Sequence, residues 1–278
     1  MNITTSEVRF TLKHLLLRRI VFLLGLVVTL RIFIELLEYN RRSSKCKSTL
    51  KPLNSQIAQI DLGLKVSIII PTLNEAEALP NLFRSISAQT YSNIEVIVID
   101  AMSEDDTARV AKEFGAKLIS VTAKSVGYQS DIGARASSGE IIIRCDADTI
   151  FTPRHVETVL TTFLSNSNAK VFHCGHWFYD GVFLDNFVAF LYDKYWRRLD
   201  GTSGAMTAIR REAYLDTGGY DAKMTRGEDF DLGRRVVAKY GAQSIIYDYE
   251  NLVTPVSARA IRKIGRLQYY RRLGGSFF

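Results

Sequence analysis

The chain is poor in cysteine and proline, with three Cys and five Pro in 278 residues. Cys46, Cys145 and Cys174 are too few for a disulfide framework, and none stands in a C-x-x-C pair. That excludes a disulfide-stapled scaffold and reads as a protein facing a reducing compartment, without a structural zinc. Five prolines beside 18 glycines exclude collagen-like or proline-rich low complexity. Acidic charge is the minority sign, 29 Asp and Glu against 36 Lys and Arg, for a net charge of +7. Such an excess suits an anionic partner, and on composition alone nucleic acid, a membrane surface and a nucleotide all remain open. Apolar residues are plentiful: 47% hydrophobic and 11% aromatic against 23% charged exclude a disordered chain, which lacks the apolar surface to offset its ordering entropy. The length suits one sizeable domain with extensions, or two small domains.

Residues 1–42 read as an N-terminal membrane segment. Residues 20–30 are uncharged, eleven in a row, where a bilayer crossing needs about 20. Extending to residue 37 gives eighteen, but includes Arg31 and Glu35. Four apart on a helix, these two can pair and sit near the head-group level. A single span and an interfacial helix both fit, and an amphipathic helix packed on the soluble part is the plainer alternative. No small-residue cleavage site follows, so a signal peptide fits poorly. Four basic residues precede the segment and five follow it, so the positive-inside bias decides little. Residues 43–63 read as a polar linker. The expected location is a membrane, single-pass or interfacial, with the main domain facing the cytoplasm.

Residues 64–251 alternate between strand and helix. The runs 65–70, 95–99 and 140–145 are almost wholly apolar, the pattern of strands buried on both faces, with a weaker strand at 117–121. Helical spacing fills 76–88, 107–115 and 129–137. Such alternation predicts an α/β fold with a mostly parallel sheet flanked by helices. Ligands in these sheets collect at the carboxyl ends of the strands. Pro71 to Glu75, Asp100, and Asp146 with Asp148 all fall there. Two carboxylates at i and i+2 beyond a strand can share a divalent cation, Mg²⁺ or Mn²⁺, whose other positions go to phosphate and water.

Taken in order, these segments resemble a family 2 glycosyltransferase of GT-A fold over residues 65 to 235, similar to dolichol-phosphate-sugar synthases and related inverting enzymes. Pro71-Thr72-Leu73-Asn74-Glu75 matches the P-x-x-N-E that closes the first strand and lines the nucleotide pocket. Asp100-Ala101-Met102-Ser103-Glu104-Asp105-Asp106-Thr107 resembles D-D-G-S-x-D-x-T, whose first Asp contacts the base, although Ala101-Met102 replaces Asp-Gly. Gly127, Gly133, Ala136 and Gly139 fit the glycine-spaced helix before the D-x-D pair Asp146 and Asp148. Residues 201–212, including Gly204, resemble the segment that holds the donor sugar, and Glu228-Asp229 resembles the E-D motif of the acceptor side. Gln129-Ser130-Asp131 departs from the A-R-N common in relatives. Gln268-Tyr269-Tyr270-Arg271-Arg272 resembles Q-x-x-R-W of processive members but lacks the Trp.

The resemblance implies metal-dependent, inverting transfer from a nucleotide-diphospho-sugar to a lipid-linked or membrane-proximal acceptor. Asp148 is the expected metal ligand, Asp146 serves ribose and metal, and Asp229 is the candidate general base positioned by Glu228. Pro71, Thr72, Asn74, Glu75, Asp100, Ser103, Asp146 and Gly204 are the expected donor contacts. A phosphate acceptor, already ionised, needs no base, and Asp229 would then only orient it. A non-catalytic GT-A domain acting as a membrane-bound nucleotide-sugar sensor or scaffold is the alternative. Plainer roles also stand: Glu228-Asp229 as a helix N-terminal pair, and Asp100 as a strand-end cap. His173-Cys174-Gly175-His176 is too tightly spaced for an ordinary zinc site and reads as strand. Residues 252–278 interleave Arg259, Arg262, Lys263, Arg266, Arg271 and Arg272 with Ile, Leu and Tyr. This predicts a basic amphipathic helix on an anionic membrane, or a solvated helix packed on the domain. Nucleic acid is not an expected partner, since no binding motif accompanies the charge.

Overall fold

The computed structural model describes residues 23–44, 62–195, 202, 204–224 and 227–274. The chain forms two compact units, Met1–Ser48 and Thr49–Phe278. In the smaller, residues 23–44 are helical and Arg31 pairs with Glu35 at 3.0 Å, as their spacing predicts. Leu23, Leu24, Leu26, Val27, Val28, Leu30, Ile32, Phe33, Ile34 and Leu37 are exposed. Among the described residues no helix is long and apolar enough to cross a membrane. Every 18-residue window of the described helix contains Arg31, Glu35 and Glu38, so the described residues do not support the expected single span. Residues 20–22 of the expected segment lie outside the described residues.

In the larger unit the apolar runs become the middle layer. Strands β1 (Val66–Thr72), β2 (Ile94–Asp100), β3 (Lys117–Ser120), β4 (Ile141–Cys145), β5 (Val171–Phe178), β6 (Met206–Arg210) and β7 (Ile245–Val256) make one sheet, ordered β3-β2-β1-β4-β6-β5-β7. Strands β1 to β4 pair in parallel, as do β5 and β7. Strand β6 runs antiparallel to both β4 and β5, so the sheet is mixed. The apolar pattern of a strand carries no direction, which is why the reversal could not be read from sequence. It matters for the site: Cys145 pairs with Met206, so the residues entering β6 begin beside those leaving β4.

Both faces of the sheet are covered. Ile68 and Ile70 pack with Leu82, Phe83, Leu160 and Phe163 on one side. Ile69, Ile97, Ile99 and Ile142 pack with Ala134, Tyr214, Leu232 and Val236 on the other. Alternate residues of one strand thus enter different cores, and a continuous apolar run satisfies both. Two glycines permit close approach. A Cβ on Gly133 would lie 2.4 Å from Ile99 Cδ1, and one on Gly139 would lie 2.6 Å from Ser67 Oγ. The helix Val126–Ala136 and the turn after it can therefore lie flat on β1 and β2. Pro71 stays inside β1, where the ladder to β4 has already ended at Ile69 and Arg144.

The C-terminal segment differs from the expected continuous helix. Strand β7 crosses the expected 251/252 boundary, and two short helices follow, Arg259–Ile264 and Arg266–Gly274. They part at Gly265, whose φ of +82° leaves helical geometry. Ile261 is buried with Phe178, Ala189 and Val256. Arg262 pairs with Asp180 at 2.7 Å and Arg266 with Asp185 at 2.8 Å. These two basic residues are turned to carboxylates of their own domain, as the alternative of a helix packed on the domain expects, while Lys263 and Arg271 stay exposed.

Candidate active site

Parallel register sets the first part of the site. Thr72 stands opposite Asp100 at the ends of β1 and β2, and its Oγ1 donates to Asp100 Oδ1 at 3.1 Å. Ser103 closes the next turn, donating from N to Asp100 Oδ2 at 3.0 Å and from Oγ to Oδ1. The bonds that Asp100 makes are those of a strand-end cap, and the residue is 3% exposed. Asn74 N donates to Ser103 Oγ at 2.8 Å, and Glu75 N to Thr107 Oγ1 at 2.7 Å, so the loops after β1 and β2 are laced together. Gln129 donates from Nε2 to the carbonyls of Thr72 and Ile99 at 2.9 and 2.7 Å, closing the cleft between the two strands. Met102, where the family motif has glycine, has φ +56° and an exposed side chain. That left-handed backbone costs a residue with a Cβ about 1 kcal/mol.

The second part is a group of carboxylates around one buried cation. Arg144 in β4 is 5% exposed. Its guanidinium pairs with Asp146 Oδ1 at 2.9 Å and donates to the carbonyl of Gly204. It also lies within electrostatic reach of Glu228 and Asp229. Gly204 threads between them: a Cβ there would lie 3.0 Å from Arg144 Nη1 and 3.5 Å from Asp229 Oδ2. Glu228 and Asp229 open the helix Glu228–Tyr240, where the dipole favours acidic side chains. Gly227, at φ +78°, sets the entry. Thr202 Oγ1 donates to the Asp229 carbonyl, tying the donor-side segment to this helix. Burial raises the Glu228 carboxyl pKa, and Arg144 opposes the rise. Gly201 and Ser203 lie outside the described residues.

Asp148 joins the two parts. Arg259 makes a forked pair with Glu75, at 2.6 and 2.9 Å, and reaches Asp148 Oδ2 at 3.2 Å. Burial, with the nearby Asp146 charge, pushes the Asp148 carboxyl up to about 6 against the pull of Arg259. Among the described residues no three His, Cys, Asp or Glu side chains form a metal cage. The donor set still fits a hard cation of the kind that takes one or two carboxylates and completes its shell with substrate phosphates and water. Asp148 already pairs with the Arg259 guanidinium there.

Of the residues expected from sequence, Thr72, Asn74, Glu75, Asp100 and Ser103 form one laced edge, with Pro71 buried behind it. Asp146, Gly204, Glu228 and Asp229 form the other, around Arg144. Sequence reading missed Arg144 and Arg259 as site residues. A lone cation inside the run Ile141-Ile142-Ile143-Arg144-Cys145 was the available signal for the first. For Arg259 the basic pattern pointed elsewhere. His173 to His176 lie within β5, with Cys174 Sγ 3.0 Å from Thr254 Oγ1.

A Staphylococcus haemolyticus 4,4'-diaponeurosporenoate glycosyltransferase is 36% identical over 106 residues, 35% of this chain and 28% of that protein. A Haloferax volcanii glucosyl-dolichyl phosphate glucuronosyltransferase is 23% identical over 192 residues, 60% of this chain and 59% of that one. The matched stretches span well under two thirds of either relative. The mannosyltransferase PcManGT of Pyrobaculum calidifontis, solved with GDP-Man and Mn²⁺, shares the fold at a TM-score of 0.57 and 21% identity, over 81% of this chain and 64% of that one. The profile described as Glycosyl transferase family 2 matches residues 67–216. That stretch is more than half of the chain and contains all but the first residue of β1, all of β2 and β4, and the Asp146–Asp148 pair. The chain belongs to glycosyl transferase family 2.

Proposed function

We propose that the chain is a metal-dependent, inverting glycosyltransferase that moves a sugar from a nucleotide-diphospho-sugar to a lipid-linked or membrane-proximal acceptor. The observation that carries this reading is the meeting of Asp146, Gly204 and Asp229 around Arg144 at the strand end. The first carboxylate of the D-x-D pair, the Gly204 carbonyl and a candidate base there share one buried cation, Arg144. GDP-Man and Mn²⁺ in the Pyrobaculum calidifontis enzyme and the dolichyl phosphate in the name of the Haloferax volcanii relative support donor, cation and acceptor class. Asp148 and Asp146 would hold a divalent cation, which when bound would supply Lewis-acid stabilisation of the departing diphosphate. The laced loops 72–75 and 100–107 hold the nucleoside. Arg144 fixes Asp146 and the Gly204 carbonyl, and Asp229 takes the acceptor proton while Glu228 orients it.

The test is transfer from a panel of UDP- and GDP-sugars, with and without Mg²⁺ or Mn²⁺. At least one donor is expected to be turned over, with activity lost in EDTA and in Asp148→Ala. No transfer and no donor hydrolysis with any sugar would sink the assignment. Donor binding without turnover would favour the sensor alternative.

The exposed apolar residues of the helix over 23–44 support an interfacial attachment to the membrane, with the larger unit on the cytoplasmic side. The expected result is release of the full chain from membranes by alkaline carbonate. Retention until detergent is added contradicts an interfacial mode.

A further inference from the structure

Arg259 lies at the junction of the C-terminal segment and the site, and its part in metal binding rests on the cation-assisted mechanism. It is the first residue of its helix, three positions beyond the end of β7. Two of its three contacts go to Glu75, the forked geometry that fixes a guanidinium most firmly. The third, to Asp148 Oδ2 at 3.2 Å, is the longest. Glu75 is therefore the anchor and Asp148 the contact more readily given up. A divalent cation on Asp148 would face a positive guanidinium a few ångströms away, and like charges at that separation repel.

We propose that Arg259 and the divalent cation compete for Asp148, so that firm cation binding depends on the arrival of a diphosphate. Arg259 stays beside the site through Glu75 after losing Asp148. A diphosphate brings anionic oxygens that offset both cations together. The cation therefore enters with the donor rather than ahead of it, and leaves with the nucleotide. The Arg259 side chain is 42% exposed and that of Asp148 is 14% exposed. Water screens the repulsion, and the contact can open without disturbing the core.

The experiment is a Mn²⁺ titration of the full chain without nucleotide, following free Mn²⁺ by electron paramagnetic resonance. Arg259→Gln is expected to bind Mn²⁺ about tenfold tighter than the wild type, as removal of a partly screened like charge requires. Arg259→Lys keeps the charge and is expected to stay near the wild type. Glu75→Gln frees the guanidinium for Asp148 and is expected to weaken Mn²⁺ binding, while the gain in Arg259→Gln is the change that a folding defect does not mimic. Equal or weaker binding by Arg259→Gln overturns the competition, as does an absence of Mn²⁺ binding in every variant. Mn²⁺ binding that is unaffected by Asp148→Asn overturns the cation reading itself, a separate failure.

Discussion

Arg144→Met is expected to lower stability by about 1–3 kcal/mol, because the guanidinium is buried while the Asp146 carboxylate it leaves behind is 45% exposed and stays partly solvated. Methionine keeps much of the stem but none of the charge. Asp146 loses its 2.9 Å partner and the Gly204 carbonyl loses a donor. Glu228 and Asp229 lose a cation that opposes their mutual repulsion. Urea unfolding followed by circular dichroism measures the loss, and a deficit under about 1 kcal/mol contradicts the role. The deficit has a definite pH dependence. Burial already raises the Glu228 pKa above its ordinary 4.5 and Arg144 restrains it, so the variant's Glu228 rises further. A carboxyl whose folded pKa exceeds its unfolded one destabilises the fold while ionised. The penalty is fully present above the folded pKa and shrinks as pH falls through it toward the unfolded value. The variant is thus expected to recover part of its stability in mild acid. Arg144→Lys, with charge but no fork, should fall between. Adding Asp146→Asn to Arg144→Met should restore some stability, and the restored part measures their coupling. Transfer is expected to fall by about a hundredfold or more even where the variant folds, because Asp146 and Gly204 are no longer fixed.

The sheet was legible because its strands are buried on both faces. Val66–Thr72, Ile94–Asp100 and Ile141–Cys145 have little other reading as apolar runs of that length. The candidate site followed from the same logic, since parallel strands of similar length place Thr72, Asp100 and Asp146 at one edge. What stayed hidden depended on tertiary partners. The direction of β6 is set by pairing between β4 and β5, and its short run Met206–Arg210 fits either sense. Arg259, Arg262 and Arg266 look like a basic face at helical spacing, yet their partners Glu75, Asp148, Asp180 and Asp185 lie about 80 to 180 residues earlier. Charge without knowledge of its partner points outward to solvent or membrane. Here three of the arginines turn to partners in the domain, while Lys263 and Arg271 stay exposed. The apolar stretch near the N-terminus carries real hydropathy, but the part of it in the described helix is interrupted by Arg31, Glu35 and Glu38, and among the described residues no helix is long and apolar enough to cross a membrane.

Asp229→Asn is expected to reduce transfer to a hydroxyl acceptor by about 10²- to 10⁴-fold, the usual contribution of a positioned general base. The change is nearly isosteric. The Asn carbonyl oxygen can still accept the 3.0 Å bond from Phe230 N that Asp229 Oδ1 accepts. Loss of one negative charge in the first helical turn costs about 0.5 kcal/mol, so the fold should survive and donor affinity should change little. A fall in kcat with donor KM preserved therefore marks the lost proton acceptor. The same variant reads out the acceptor. A phosphate oxygen is ionised at neutral pH and needs no base, so with a polyprenyl phosphate the loss should shrink to less than about tenfold. Glu228→Gln separates the two carboxylates. Glu228 packs beside Gly127, where a Cβ would lie 3.2 Å from its own Cβ, whereas Asp229 faces Gly204 and the donor-side segment. If Glu228→Gln proves the more damaging and Asp229→Asn retains most activity, their roles are reversed. The burial that raises the Glu228 pKa would then be the feature that suits it to hold the proton.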